Sequence, residues 1–449
     1  MKSLLITNAY IINEYQKYNG AVLIDNEKIK KIFKDNEIPS ETINSSVVID
    51  AKGKALMPGI IDSHVHFREP GLTHKADINS ESMAAVAGGI TSYCEMPNTK
   101  PQTISNRELE KKHAIAAESS LANYSFYLGA TNDNIKEIEN VDPTKTCGVK
   151  LFLGASTGNM LVDNSKALDS IFARSPILIA CHCEDETTIK NNLAYYKNIY
   201  GDNIPVSYHP KIRTEDACYA SSSRAVSLAK KHNSRVHILH TSTAKELELF
   251  NELTDRRDKR VTSEVCVHHL WFDESDYKKL GTKIKWNPAI KTKKDKIALL
   301  EGLKKNKIDL IGTDHAPHLW IEKDNNYINA PSGGPMIQHS LQVMLEFYHK
   351  GLLTMESIVD KMCHAPSDLF NIDKRGYIRE GYWADLVLVD LNNTYKIQKE
   401  NILYKCGWSP LEGETFKSTV THTLINGYLI YENGTIHQTN KAKALKFNR

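Results

Sequence analysis

Between residues 56 and 374, short apolar runs of strand length alternate with helix-length segments of mixed polarity. This alternation constrains the fold more than any other feature of the chain. Eight runs qualify as strands: Ile60–His66, Gly89–Glu95, Tyr124–Leu128, Gly148–Leu153, Ile177–Cys183, Arg235–His240, Val261–Val267 and Ile308–Asp314. Helical stretches lie between most of them, as in Asn106–Ser120, Asp216–Lys231, Ala244–Arg256 and Lys294–Lys305. Strands separated by helices pair in parallel through crossovers, and eight of them predict an α/β fold, a (β/α)8 barrel of the TIM type. A doubly wound open sheet is the competing arrangement.

The two ends differ from this middle. Residues 1–55 read as short strands with tight turns: Leu4–Ile12, Ala21–Ile24, Ile29–Phe33 and Ser46–Asp50, with no helix-length segment. Residues 375–449 return to the same pattern with Gly376–Ile378, Ala384–Asp390, Val420–Ile425 and Tyr428–Tyr431. The last two flank Asn426-Gly427, a strong hairpin signal. Two β-rich ends around a barrel at 56–374 predict one small β-sandwich domain built from both chain ends.

Composition narrows the class. Of 449 residues, 41% are hydrophobic and 25% charged, as in ordinary globular proteins. The net charge of +3 is small, and lysine pairs such as Lys30-Lys31 and Lys230-Lys231 are scattered, not striped. Nucleic acid and membrane surfaces are therefore not expected as partners. No segment approaches the ~18 apolar residues of a membrane-spanning helix, and the opening apolar run is too short for a signal peptide. Eight cysteines without regular spacing sit mostly in apolar strands, which points to reduced core residues of a cytoplasmic protein. In Cys181-His182-Cys183, neighbouring strand residues face opposite ways, so His182 and the cysteines cannot share one site.

The ends of the strands carry the chemistry. The first gives His64 and His66, one residue apart and hence on one face, followed by Arg68-Glu69-Pro70-Gly71. The fourth gives Lys150, the fifth His182, the sixth His240 and the eighth Asp314. On the sixth strand Val236, Ile238 and His240 fall on one face by alternation, which turns His237 away. Four histidines, a carboxylate and a lysine would thus meet at the barrel end where catalytic groups sit. Such nitrogen and oxygen ligands suit Zn2+, and two ions supply a nucleophile from water at neutral pH. His64, His66 and Asp314 would hold one ion and His182 with His240 the other. Lys150 lies in an otherwise apolar strand, where a lone ammonium beside two cations is disfavoured. Carboxylation by CO2 would turn it into an anionic bridge between the metals. Asp314 is then placed to take a proton from water and return it to a leaving nitrogen, which is hydrolysis of an amide-like bond.

These residues resemble the amidohydrolase superfamily of metal-dependent barrels and, within it, the dihydroorotases of pyrimidine synthesis, over essentially the whole chain. The resemblance rests on Pro58–Gly71, Met96-Pro97-Asn98-Thr99, Gly312–His318 and Ala384–Asp390. It implies the ligand set above, with Asp314 catalytic. It also implies a substrate pocket lined by Arg68, Asn98, Asn287, His318 and the stretch Ala330–Gly334, including Pro331 and Gly333. Arg68 with Asn98 suits the free carboxylate of dihydroorotate, and N-carbamoyl-L-aspartate is the product. Allantoinases resemble the chain but usually carry a neutral residue where Arg68 stands, and dihydropyrimidinases and hydantoinases lack Arg-Glu-Pro-Gly. Some relatives are non-catalytic scaffolds, which usually lose ligands that this chain keeps. Asp163 is an alternative bridging carboxylate. The loop Leu153–Met160 and the stretch His318–Gly334 are candidate covers, and a homodimer is the family's usual state.

Overall fold

The computed structural model describes residues 2–35, 37–154, 160–252, 255–439 and 441–449. Five strands come first: β1 (Leu4–Asn13), β2 (Gln16–Asp25), β3 (Lys28–Lys34), β4 (Val47–Asp50) and β5 (Ala55–Pro58). Eight more follow: β6 (Ile60–Val65), β7 (Ile90–Glu95), β8 (Asn123–Gly129), β9 (Gly148–Phe152), β10 (Ile179–His182), β11 (Val236–Ile238), β12 (Val261–Cys266) and β13 (Leu310–Gly312). These eight pair in sequence order, all parallel. The ring closes between its first and last members, where the His66 N–H donates to the His315 carbonyl at 2.8 Å. It is the expected barrel.

Burial explains the parallel pairing. All eight strands are buried along almost their whole length, which is the environment of strands covered on both faces. One set of side chains packs against surrounding helices and includes Tyr93, Val149, Ile179, Val236, Ile238 and Val265. The other fills the barrel's lower interior and includes Ile61, Cys94, Tyr127, Ala180, Leu239 and Leu310, closed from below by Phe370, Leu445 and Phe447. All eight cysteines are free and buried.

Helix boundaries follow capping chemistry. The helix Asn106–Ser119 starts where the Ser105 side chain accepts from Glu108 N–H, and Glu215–His232 starts where Thr214 accepts from Ala217 N–H. Lys293–Lys304 opens with a Thr292/Asp295 capping box. The helix expected over Ala244–Arg256 does not form: within the described part only a 3-10 turn, Lys245–Leu249, is present. The reason is Glu246, which is buried and accepts from Ser222, Thr243 and the Ser242 N–H instead of lying on a solvated helix face.

The chain ends share one nine-stranded sheet. It runs from β19 (Thr435–Ile436) through β18 (Tyr428–Glu432), β17 (Thr419–Ile425), β14 (Leu386–Asp390), β5, β1 and β2 to β3, with β4 also on β1. A separate short ladder joins β15 (Tyr395–Lys396) to β16 (Thr415–Phe416). Ile6, Ile11, Val22, Leu56, Leu386, Leu388 and Leu424 form the sheet's own core, so both ends build the expected sandwich-like domain. Asn426 and Gly427 take positive φ values of 50° and 79°, as a tight hairpin turn requires. Two local expectations differ from the structure. A short helix, Ser40–Ser45, precedes β4. Gly376–Ile378 is no strand, because Ile378 exchanges both backbone bonds with the Asn13 side chain and not with a neighbouring strand.

A buried polar knot ties this sheet to the barrel. Arg375 donates to Asp385 and, at 2.9 Å, to Asn426. Asp385 also accepts from the Asn426 N–H, and Asn123 at the start of β8 bonds both Asp385 and Asn426. Removing one member of a buried ion pair strands the other. Asp385→Ala is therefore expected to lower stability by about 3–5 kcal/mol, measured by chemical denaturation. A loss under about 1 kcal/mol would show that the knot is not holding the two parts together.

Candidate active site

The twelve residues singled out from the sequence all line one cavity of about 300 Å3 at the carboxyl ends of the barrel strands. They are His64, His66, Arg68, Asn98, Lys150, His182, His240, Asn287, Asp314, His318, Pro331 and Gly333. Asp163 does not join them. It accepts from Asn132 at the surface.

One cluster centres on Asp314. Its Oδ1 lies 3.2 Å from His64 Nε2 and 3.0 Å from His66 Nε2, and ligand atoms of the three converge within 4.8 Å of one another. The outer nitrogens are occupied: His64 Nδ1 lies 2.5 Å from Glu264 Oε1, and His66 Nδ1 lies 2.7 Å from Asn98 Oδ1. A second pair faces it, with His182 Nδ1 2.8 Å from His240 Nε2. Its outer side is less complete: Glu184, ion-paired with Arg213, lies 3.1 Å from His182 Nε2, but neither that nitrogen nor His240 Nδ1 has a hydrogen-bond partner. Imidazoles that turn one nitrogen inward and offer the other to a carboxylate or amide are arranged as metal ligands are. The donor set fits divalent metal ions. Lys150, 1% exposed, completes the ring, its Nζ 4.6 Å from the Phe152 ring centre.

Charge follows from burial. Burial alone would raise the pKa of Asp314, but His64 and His66 hold it well below the usual carboxylate range. Burial disfavours a charged His64, yet Glu264 and Asp314 outweigh it and push its pKa up to about 9. Burial brings His66 down to about 4, and brings Lys150 down to about 8 against the pull of Asp314 and Glu264. The amine of Lys150 is thus within reach of its neutral, nucleophilic form.

The backbone is bent at the sites that matter. Arg68, His240 and Asp314 have φ of 67°, 37° and 45°, a region costly for residues with a side chain and concentrated at functional sites. For His240 the bend corrects the simple alternation. Val236 and Ile238 face the helices, while His237 points inward to Glu264 at 3.3 Å. Strand β11 ends at Ile238, and the turn after it swings His240 into the cavity.

On the opposite wall Arg68 Nε donates to the Pro317 carbonyl at 3.1 Å, and its Nη2 lies 3.1 Å from His318 Nε2. His318 is fixed by Lys75 on Nδ1 and by the Ser332 carbonyl on Nε2, which leaves the Arg68 guanidinium edge for a ligand. The stretch 318–334 is pinned by buried lysines. Lys323 donates to the carbonyls of Lys285, Pro331 and Gly333, and Lys285 to those of Tyr327 and Ala330. Gly333 has φ +122°, and a Cβ there would meet the Ala316 carbonyl at 2.6 Å, so the wall needs glycine. Of the other candidate cover, residues 155–159 lie outside the described residues.

Sequence reasoning missed Glu264, Glu184, Arg213 and Lys323. A glutamate amid the apolar run Val261–Val267 was a usable signal for the first. The other three act through contacts that no local pattern reveals.

The fold and this ligand set define a metal-dependent hydrolase barrel. The profile of the amidohydrolase family matches residues 55–430, and the chain belongs to that family. Curated relatives named dihydroorotase are 33% identical in Aquifex aeolicus (96% of this chain, 100% of the relative) and 34% in a Wolbachia of Drosophila simulans (95% of each). Among solved structures, an L-hydantoinase (dihydropyrimidinase) from Arthrobacter aurescens superposes with a TM-score of 0.93 at 25% identity, covering 99% of this chain and all of that one.

Glu264 binds three neighbours at once: His64, His237 and the His240 N–H. Glu264→Gln is expected to weaken metal affinity about 10- to 100-fold, as loss of a ligand's outer partner does elsewhere. Competition against a chelator measures it, and unchanged affinity would remove Glu264 from the metal centre.

Proposed function

We propose that this chain is a dihydroorotase, a cyclic amidase that reversibly hydrolyses (S)-dihydroorotate to N-carbamoyl-L-aspartate. The observation that carries the reading is Arg68: a guanidinium 7% exposed, fixed by the Pro317 carbonyl with its Nη2 3.1 Å from His318 Nε2, in the same cavity as Asn98 and Asp314. A buried guanidinium of this kind calls for an anionic substrate, and dihydroorotate carries a carboxylate next to its cyclic ureide. The Asn98 Oδ1 is taken by His66, so its amide N–H groups remain for the same carboxylate. Asn287, whose Oδ1 is buried without a partner, together with His318 and the backbone at Pro331 and Gly333, would hold the ureide.

In this reading His64, His66 and Asp314 would hold one Zn2+ ion, and His182 with His240 a second. The amine of Lys150, on adding to CO2 with loss of a proton, would become a carbamate and supply a further anionic ligand to the pair. When bound, the ions acidify water and polarise the ring carbonyl. Asp314 takes a proton from the attacking water and gives it to the ring nitrogen as the C–N bond breaks. The product gains a second carboxylate and releases a proton to solvent, so the reverse direction consumes one. Arg68 and Asn98 keep the ring fixed throughout, since the carboxylate they hold does not react. Residues 56–374 would form the catalytic barrel and 1–55 with 375–449 the supporting domain, with Leu56–Pro58 completing β5 of the terminal sheet. No helix among the described residues is long and apolar enough to cross a membrane. A cytoplasmic homodimer without nucleic-acid or membrane partners is a separate part of the proposal.

A hydantoinase or dihydropyrimidinase activity is the second reading, favoured by the TM-score of 0.93. Their substrates lack the carboxylate that Arg68 would pair with. Arg68→Ala is expected to raise the KM for dihydroorotate roughly 30- to 150-fold with a smaller effect on kcat. If the unaltered enzyme turned over dihydrouracil as well as dihydroorotate, the second reading would replace the first. Asp314→Asn is expected to fold and retain bound zinc while kcat falls at least about 100-fold. Retained turnover would take Asp314 out of proton transfer.

A further inference from the structure

At the opposite end of the barrel lies a second cavity, of about 310 Å3, lined by Arg235, Arg260 and Arg449 together with serine and asparagine side chains. It sits where β10 and β11 begin, so the strands that carry His182 and His240 at one end frame this cavity at the other. No aspartate or glutamate lines it, and none of the three guanidiniums is ion-paired among the described residues.

What holds these arginines is neutral. Arg235 Nη2 donates to the Leu369 carbonyl at 2.6 Å. Arg449 donates to the carbonyls of Thr146, Cys147 and Phe370. Carbonyls fix the forks in place and leave their charge uncancelled. The Nε atoms of Arg235 and Arg449 and the Ser234 hydroxyl are buried without any partner, and the exposed Arg260 side chain has none among the described residues. Burial lowers the pKa of Arg235, and Arg260 adds to it. Burial likewise brings Arg449 down to about 10, with Arg235 contributing. Three cations that repel one another around a polar space, with donors to spare, form an electrostatic arrangement that an anion would complete.

We propose that this cavity is a binding site for a small phosphate-bearing anion, with Arg235, Arg260 and Arg449 as its charge partners. Guanidinium forks match phosphate oxygens two at a time, and phosphate carries enough charge to answer several of them. The volume lies at the small end of ligand pockets, which suits inorganic phosphate or a compact phosphate monoester.

Calorimetric titration of the metal-loaded enzyme tests this at constant ionic strength, with inorganic phosphate and with glycerol phosphate as separate probes. Arg260→Gln is the informative variant, because its side chain has no partner to lose and its kcat is expected to stay unchanged. Affinity is expected to fall at least about tenfold in Arg260→Gln and again in Arg235→Gln. The tighter of the two probes identifies the kind of ligand, and either order upholds the site. Phosphate held at the catalytic cavity would persist in both variants. Binding that survives Arg260→Gln unchanged, or no binding at all, overturns the proposal.

Discussion

Two carboxylates bracket one imidazole at the mouth of the barrel, and the rest of the site is arranged around that bracket. Glu264 holds His64 from behind and Asp314 faces it from the front, so the ring is fixed in orientation before any ligand arrives. The same Glu264 reaches His237 and the His240 backbone, and Asp314 reaches His66. Four histidines are therefore positioned through two acids. In a site this dry, each unpaired acid would be expensive, and each is instead met by at least two donors.

The barrel is what makes such a cluster affordable. In eight strands buried on both faces, a polar side chain that no partner meets is costly. Those that serve the site sit in the last few residues of their strands, as His64, Lys150, His182 and Glu264 do, or just beyond them, as His66, His240 and Asp314 do. Asp62 shows the limit. It sits inside β6, does not line the cavity, and is used up by Thr313 and the His64 N–H across the seam that closes the ring. Burial pushes its pKa up to about 7, which is the cost of keeping a carboxyl inside the strand layer. Residues at or just past the carboxyl end of a strand, by contrast, reach the cavity.

Much of this was legible because strand period and helix period differ so sharply. The eight strands were found within a few residues of their ends, and twelve candidate residues spread from 64 to 333 lie around one cavity. The failures share a cause. Glu246 looked like one residue of an amphipathic helix, and its real partners, Ser222, Ser242 and Thr243, stop that helix from forming. Gly376–Ile378 looked like a strand because nothing in it announces that an asparagine more than 360 residues away takes the place of a neighbour. Sequence pattern reports what a segment prefers by itself, and these segments are decided by a side chain brought from elsewhere.

His240 carries the argument one step further. Alternation put it on the face of Val236 and Ile238, and that face packs against helices. It reaches the cavity because the chain leaves the strand at Ile238 and turns through a positive φ at His240, a conformation costing about 1–3 kcal/mol. Asp314 and Arg68 bend in the same way just past β13 and β6. A residue in that conformation survives only where its surroundings over-determine it. Here the Glu264 carboxylate accepts from the His240 N–H, and His66 and His64 hold Asp314 from two sides. The polar groups that tune the site are thus also the groups that keep its backbone bent, so chemistry and geometry at this rim cannot be altered independently.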